Sequence, residues 1–182
     1  MNDNRDESYD TRAILEKMRE EYWQGVTEEV VEEAEDQITL LTFLLGGEAF
    51  GMPAVYAKEI LKIPQVIRVP RTPPSVLGII NLRGRITPII DVRSVLGVKL
   101  YEISEGGRVI ITEVEDLYTG IVVEEVLGIT QIPNEEVSSV SSAIAKKDYL
   151  DGQVVIEEKP LVLINMEKML RAPDFRSGIG KR

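Results

Sequence analysis

From Ile38 onward the apolar residues come in short runs, each cut off by glycine, proline or a charged turn, and this punctuation restricts the fold more than any other feature. Ile38–Leu45 stops at Gly46-Gly47, a strong hairpin signal, and Glu48–Met52 returns. Pro53 to Ala57 reads as a turn or helical stub. Glu59–Ile63 and Val66–Val69 read as strands, separated by Pro64 and closed by Pro70. Leu77–Leu82 and Ile86–Asp91 flank the turn Arg83-Gly84-Arg85. After a brief helical piece at Arg93–Leu96, Arg108–Val114 and Tyr118–Val123 form a hairpin around Glu115-Asp116, and Val126–Ile132 continues the sheet to Pro133. Glu135–Ala145 holds few large apolar residues and reads as a loop or edge. Gln153–Ile156 and Leu161–Asn165 pair across Glu157–Lys159, and a short helix at Met166–Leu170 ends before Pro173. Roughly ten short strands predict a mainly β chain, built as barrels or a sandwich. The helical pieces are too short to be crossovers of a βαβ fold.

Charge divides the chain of 182 residues before any motif does. Residues 1–37 carry 13 acidic and 4 basic side chains, whereas residues 38–182 carry 18 and 17, so most of the net charge of −10 sits in an acidic extension. Within it Leu15, Met18, Tyr22, Val26 and Val30 recur at helical spacing. Two readings are open for 1–37: a solvated, partly disordered acidic arm, or a helix docking Leu15, Met18, Tyr22 and Trp23. Residues 38–172 are expected to form the folded body and 173–182 a flexible, basic tail. No basic segment followed by an apolar run opens the chain, so a cytoplasmic location is the expectation.

Histidine and cysteine are both absent. Disulfides, thiolate metal sites and Ser-His-Asp or Cys-His centres are thereby excluded. The glycine pairs lack the spacing of a phosphate-cradling or dinucleotide loop. Glu28-Glu29 and Glu32-Glu33 lack the ligand alternation of a calcium site and read as a solvated helix face. The expectation is a chain without catalytic residues, cofactor or metal. Arg68, Arg71, Arg83, Arg85 and Arg93 are the material for a nucleic-acid patch, but interleaved aromatics are missing and the extension is strongly acidic. Solvated strand-end arginines are the simpler reading.

The most informative stretch is Gly78-Ile-Ile-Asn-Leu-Arg-Gly-Arg-Ile-Thr-Pro-Ile-Ile-Asp-Val-Arg93. It reads as two buried strands around an Arg-Gly turn in which Gly84 suits a positive φ. Asn81 reads as a turn-fixing residue, and Asp91 as a cap for the helical turn Arg93–Leu96. The same stretch closely resembles the signature of CheW-like domains, Asn-Leu-Arg-Gly followed by Pro-Ile-Ile-Asp-Val/Leu-Arg. Phe43–Gly51 resembles the opening hairpin of that family, and Val55–Ile63 with Arg68–Pro73 its next segment. Gly120–Val126 and Val162–Leu170 resemble its second half, so the similarity spans about residues 38–171. The acidic extension departs from the family pattern.

That resemblance implies two five-stranded, SH3-like barrels sharing a hydrophobic core, and an activity of binding alone. The implied function is a chemotaxis adaptor, without enzymatic activity, coupling methyl-accepting receptors to the histidine kinase CheA beside receptor arrays at the inner membrane. The implied partners are the regulatory domain of CheA and the cytoplasmic tip of the receptor, with no nucleic acid and no membrane insertion. A scaffold for another chemosensory pathway, in pili or development, is the alternative. Carried over by motif, Glu59, Ile60, Gly78, Asn81, Arg83 and Gly84 fall at or beside binding surfaces, with Val109, Gly120 and Val126 completing a groove. Arg83 and Glu59 are expected to form a partly exposed ion pair bordering it, with alternation placing Glu59 on the wetter face, opposite Ile60.

Overall fold

The run Ile38–Leu45 is apolar at nearly every position because both faces of its strand are buried. In a strand successive side chains point to opposite faces. Leu41, Phe43 and Leu45 enter one apolar cluster, while Leu40 enters a second. The computed structural model describes residues 37–100, 102–140 and 147–176. The helical readings within 1–36 lie outside the described residues. Ten strands form: β1 (Gln37–Leu45), β2 (Glu48–Pro53), β3 (Ala57–Lys62), β4 (Val76–Leu82), β5 (Arg85–Ile90), β6 (Arg108–Val114), β7 (Leu117–Val123), β8 (Glu125–Pro133), β9 (Leu150–Ile156) and β10 (Lys159–Ile164). Among the described residues three short α-helices accompany them, α1 (Arg93–Leu96), α2 (Met166–Leu170) and α3 (Pro173–Arg176), with single 3-10 turns at Ala54–Tyr56, Asn134–Glu136 and Lys147–Tyr149.

The strands make two five-stranded sheets, ordered β8-β1-β2-β10-β9 and β3-β6-β7-β5-β4, each the sheet of an SH3-like barrel. Both follow one plan. An edge strand (β8 or β3) adjoins a hairpin (β1–β2 or β6–β7), which joins a second hairpin (β10–β9 or β5–β4) through a parallel pair. Each barrel has a small interior, Leu40, Ile132, Val154, Leu161 and Leu163 in one and Ile80, Ile89, Val109, Ile111 and Val122 in the other. The alternate residues of the same strands face a larger shared cluster. Phe43, Phe50, Met52 and Ile164 meet Ile90, Ile110, Ile121 and Val123 there, with Met166, Met169 and Phe175 from the C-terminal helices. Each large side chain buried in this way stabilises the fold by about 1.5–3 kcal/mol.

Three expectations need correction. Val66–Val69 is no strand; only an isolated bridge joins Ile67 to Ile79, since the flanking Pro64 and Pro70 interrupt any longer ladder. Strand β8 does not continue the sheet of β6 and β7 but crosses to pair with β1. The flexible tail does not start at residue 173, because α3 places Phe175 in the shared cluster.

The crossing from β7 to β8 occurs at Glu124, where the two barrels are stapled. Its backbone N–H donates to Leu44 O at 3.0 Å. Its carboxylate accepts the N–H groups of Gly46 and Gly47 at 2.8 and 3.0 Å, capturing the β1–β2 turn. From the other barrel Arg93 Nη1 donates to Glu124 Oε1 at 3.1 Å. Arg93 Nε and Nη2 grip Asp91 at 2.8–3.2 Å, and Asp91 Oδ1 also accepts the Arg93 N–H that opens α1. Arg93 is only 5% exposed, so the reading of this arginine as a solvated strand-end cation is overturned. The Asp91 hydrogen bonds raise its pKa further above its ordinary value, outweighing the lowering by burial, so it stays a cation near neutral pH.

Removing one partner of a buried ion cluster leaves the others uncompensated. Arg93→Met is therefore expected to lower unfolding free energy by about 3–5 kcal/mol, read by urea denaturation. Glu124→Gln keeps an acceptor for one glycine N–H and is expected to lose about 1–2 kcal/mol. A wild-type midpoint for Arg93→Met would show that the cluster contributes nothing to stability.

Candidate partner-binding site

The β4–β5 connection is a two-residue turn in which Arg83 and Gly84 both have positive φ, 52° and 87°. This is the backbone that matches the right-handed twist of a hairpin. Asn81 Oδ1 fixes it by accepting the Gly84 N–H at 2.8 Å. The turn aims Arg83 at Glu59 on β3, and Nη2 donates to Oε1 at 2.9 Å. Strands β3 and β4 are the two edges of their sheet, so the ion pair spans the place where the barrel closes. The Arg83 side chain is 79% exposed, and a pair this wet contributes at most about 1 kcal/mol. The expected faces of β3 are reversed. Ile60 points outward, 44% exposed, while Glu59 lies half-buried on the side of Leu61, because Leu61 packs on the barrel interior.

Where the two barrels meet, a cleft of about 450 Å³ is lined by Ile60, Ser104, Gly106, Arg108, Glu124, Glu125 and Val126. Ile60 and Val126 come together here from different sheets. Glu59, Asn81, Arg83 and Gly84 do not line this cleft but form the neighbouring turn. Three other residues placed at binding surfaces by motif present no surface to a partner. Val109 is fully buried in its barrel interior. Gly120 is buried where a Cβ would sit 2.5 Å from Ile89 Cδ1 and 2.7 Å from Val109 Cγ1. Gly78 is buried under Ile67, whose carbonyl oxygen would lie 2.3 Å from a Cβ. These positions are needed for close packing behind the surface. Asp91 is likewise buried in the inter-barrel cluster.

Sequence reasoning missed Glu124 and Arg108 and read Arg93 as a solvated cation, although it is buried. The available signal was the placement of Asp91, Arg93 and Glu124 directly after apolar strands, where a charge is either at the surface or buried with a partner. Among the described residues no group of His, Cys, Asp or Glu has the arrangement of a metal site. No helix among them is long and apolar enough to cross a membrane. The described features are a cleft of mixed polarity at a barrel junction, with Ile60 and Val126 beside Arg108, Glu124 and Glu125, a charged turn next to it, and polar groups committed to holding the frame.

The sequence profile of the CheW-like domain matches residues 39–174. The chain belongs to the CheW-like domain family. It is 32% identical to the chemotaxis protein CheW of Bacillus subtilis over 126 residues, 69% of this chain and 81% of that protein. It is 31% identical to the chemotaxis protein CheW of Klebsiella aerogenes over 137 residues, 74% and 82% of the two chains. Protein PilI of Pseudomonas aeruginosa is 32% identical over 137 residues, 73% of this chain and 75% of that one. The crystal structure of the scaffolding protein TtCheW from Thermoanaerobacter tengcongensis superposes with a TM-score of 0.69 at 24% identity, covering 75% of this chain and 90% of that one, and shows the same fold. The chain is thus a CheW-family adaptor, and its β4–β5 turn carries the Asn-Leu-Arg-Gly of the family signature.

The two turn-region glycines separate strain from packing. Gly84 has positive φ but open space around it, whereas Gly78 combines φ of 147° with the Ile67 contact. Gly84→Val is expected to cost about 1–2 kcal/mol from backbone strain alone. Gly78→Ala, though a smaller change, is expected to cost more, about 2–4 kcal/mol, through strain and overpacking together. Thermal unfolding of both variants checks the order, and the reverse order would contradict it.

Proposed function

We propose that this chain couples methyl-accepting chemotaxis receptors to the histidine kinase CheA by binding alone, with no group transferred. The observation that carries the reading is the junction cleft. It pairs exposed Ile60 with Val126 on a frame fixed by the Glu124 staple, and it belongs to a chain with the fold and signature of the CheW family. The cytoplasmic tip of a receptor, a helical hairpin, lies with apolar side chains against Ile60 and Val126. The Arg83 turn, held by Glu59 and Asn81, forms a second contact in which a planar cation is presented in a fixed orientation. One barrel pairs with the regulatory domain of CheA, so the adaptor sets where the kinase sits on the receptor. A receptor movement then biases an on–off equilibrium in the kinase. The place of action is the cytoplasmic face of the inner membrane, beside receptor arrays. The 32% identity to Protein PilI, a relative not named as a chemotaxis protein, supports a second reading, a scaffold for another chemosensory pathway. The receptor and kinase that co-purify from the source cell distinguish the two.

Adding the chain to receptor-containing membranes and CheA is expected to raise ATP-dependent phosphorylation of the kinase, and equal phosphorylation without it would sink the coupling reading. Ile60→Asp puts a charge on an apolar contact without opening the core, since Ile60 is already half out of the protein. It is expected to weaken receptor binding about tenfold or more at a nearly unchanged melting temperature. Arg83→Ala is expected to shift stability by at most about 1 kcal/mol while lowering coupling.

A further inference from the structure

We propose that Arg108 selects the partner in the junction cleft by binding a carboxylate on the receptor tip, an inference that rests on the coupling reading and names the group recognised. Arg108 opens β6 directly after a tight turn. Gly107 N–H donates to Ser104 O at 2.9 Å and Gly106 N–H to Ser104 Oγ at 3.2 Å, which fixes the backbone of that turn. Gly107 allows the close approach, since a Cβ there would lie 2.2 Å from Ile103 Cγ2 and 2.8 Å from Ile63 Cδ1. The carbonyls of this rigid turn hold the guanidinium. Nη1 donates to Gly106 O at 2.7 Å and to Gly107 O at 2.8 Å.

An arginine has five donor hydrogens, two of them on Nη1. With both committed to carbonyls, the Nε–Nη2 edge is left as two parallel donors. That edge is the fork that matches a carboxylate in bidentate fashion. Among the described residues no carboxylate forms an ion pair with Arg108. The neighbouring Glu124 is committed to Gly46, Gly47 and Arg93. The cation is preorganised on one edge and has no protein partner on the other among the described residues, in a cleft where Ile60 and Val126 supply apolar area that a docked partner would cover, strengthening a charge-assisted bond. Glu125 lies in the same cleft and repels an acid set beside it. An incoming carboxylate is thereby confined to the Arg108 side, so the cleft discriminates by repulsion as well as attraction.

The test measures sedimentation of the full chain with vesicles containing intact receptor, across a range of salt concentrations. Arg108→Ala is expected to bind about tenfold more weakly and to show a shallower fall of affinity with salt, because one solvent-accessible cation attracting the acidic partner is gone. Arg108→Lys keeps the charge and can still reach the two glycine carbonyls, but a point charge lacks the fork. It is expected to remain several-fold weak, and it carries the test if Arg108→Ala melts early. Wild-type affinity in Arg108→Ala, or weaker binding with an unchanged salt slope, would overturn this proposal alone. Failure of the wild-type chain to sediment with receptor would overturn the coupling reading and this proposal with it.

Discussion

A single buried guanidinium sits where the two barrels meet. Arg93 is nearly inaccessible, grips Asp91 of its own barrel and reaches Glu124 at the point where the chain crosses to the other. Glu124 in turn holds the N–H groups of Gly46 and Gly47, so a turn in the first barrel is hydrogen-bonded to a carboxylate whose charge is balanced by the second. The shared apolar cluster between the sheets contributes far more free energy, but burial of apolar area is not directional. Ridges of leucine, isoleucine and valine accept more than one offset. Charge-assisted hydrogen bonds do not, since their geometry admits only small deviations before the buried charges are left unpaired.

The functional geometry inherits that constraint. Ile60 comes from β3 and Val126 from β8, strands of different sheets, and they share a cleft only while the barrels keep one orientation. Glu124 lines the same cleft that it helps to fix. The Arg83 turn depends instead on its own barrel, through Asn81 and the Glu59 pair across the closing edges. On the proposed reading, in which the chain acts by binding alone, its shape carries the coupling, and a rigid junction is the property that reading most needs.

The hairpins were legible in the sequence because turn residues carry local instructions. The glycines of Gly46-Gly47 and Arg83-Gly84 suit the positive φ of tight turns, and the flanking apolar runs supply the strands. Strand partners are set at long range and were not. The alternation of Val126–Ile132 is the same whether it joins β7 or β1, and Val66–Val69 has strand composition but joins its neighbour only through the Ile67–Ile79 bridge. The family resemblance pointed to positions but not to the direction in which they face. It placed Gly78, Val109 and Gly120 with Ile60 and Val126, although the first three act by close packing from behind. Arg93 was read as solvated and Glu124 went unnoticed because a charge after an apolar strand is usually solvated, and only the crossing of the chain between barrels brings these two together.

The chain contains no cysteine, so spin labels can be attached uniquely at introduced cysteines. Exposed Val155 on β9 and exposed Ile86 on β5 report on different barrels. The distance distribution between labels at these positions, measured by double electron–electron resonance, tests the junction directly. A single narrow distribution is expected with Arg93 in place. In Arg93→Met, under conditions where circular dichroism shows both sheets still folded, the distribution is expected to broaden or shift. A distribution superimposable on that of the unsubstituted chain would show that the apolar cluster alone sets the orientation and that the buried cation does not hold the frame.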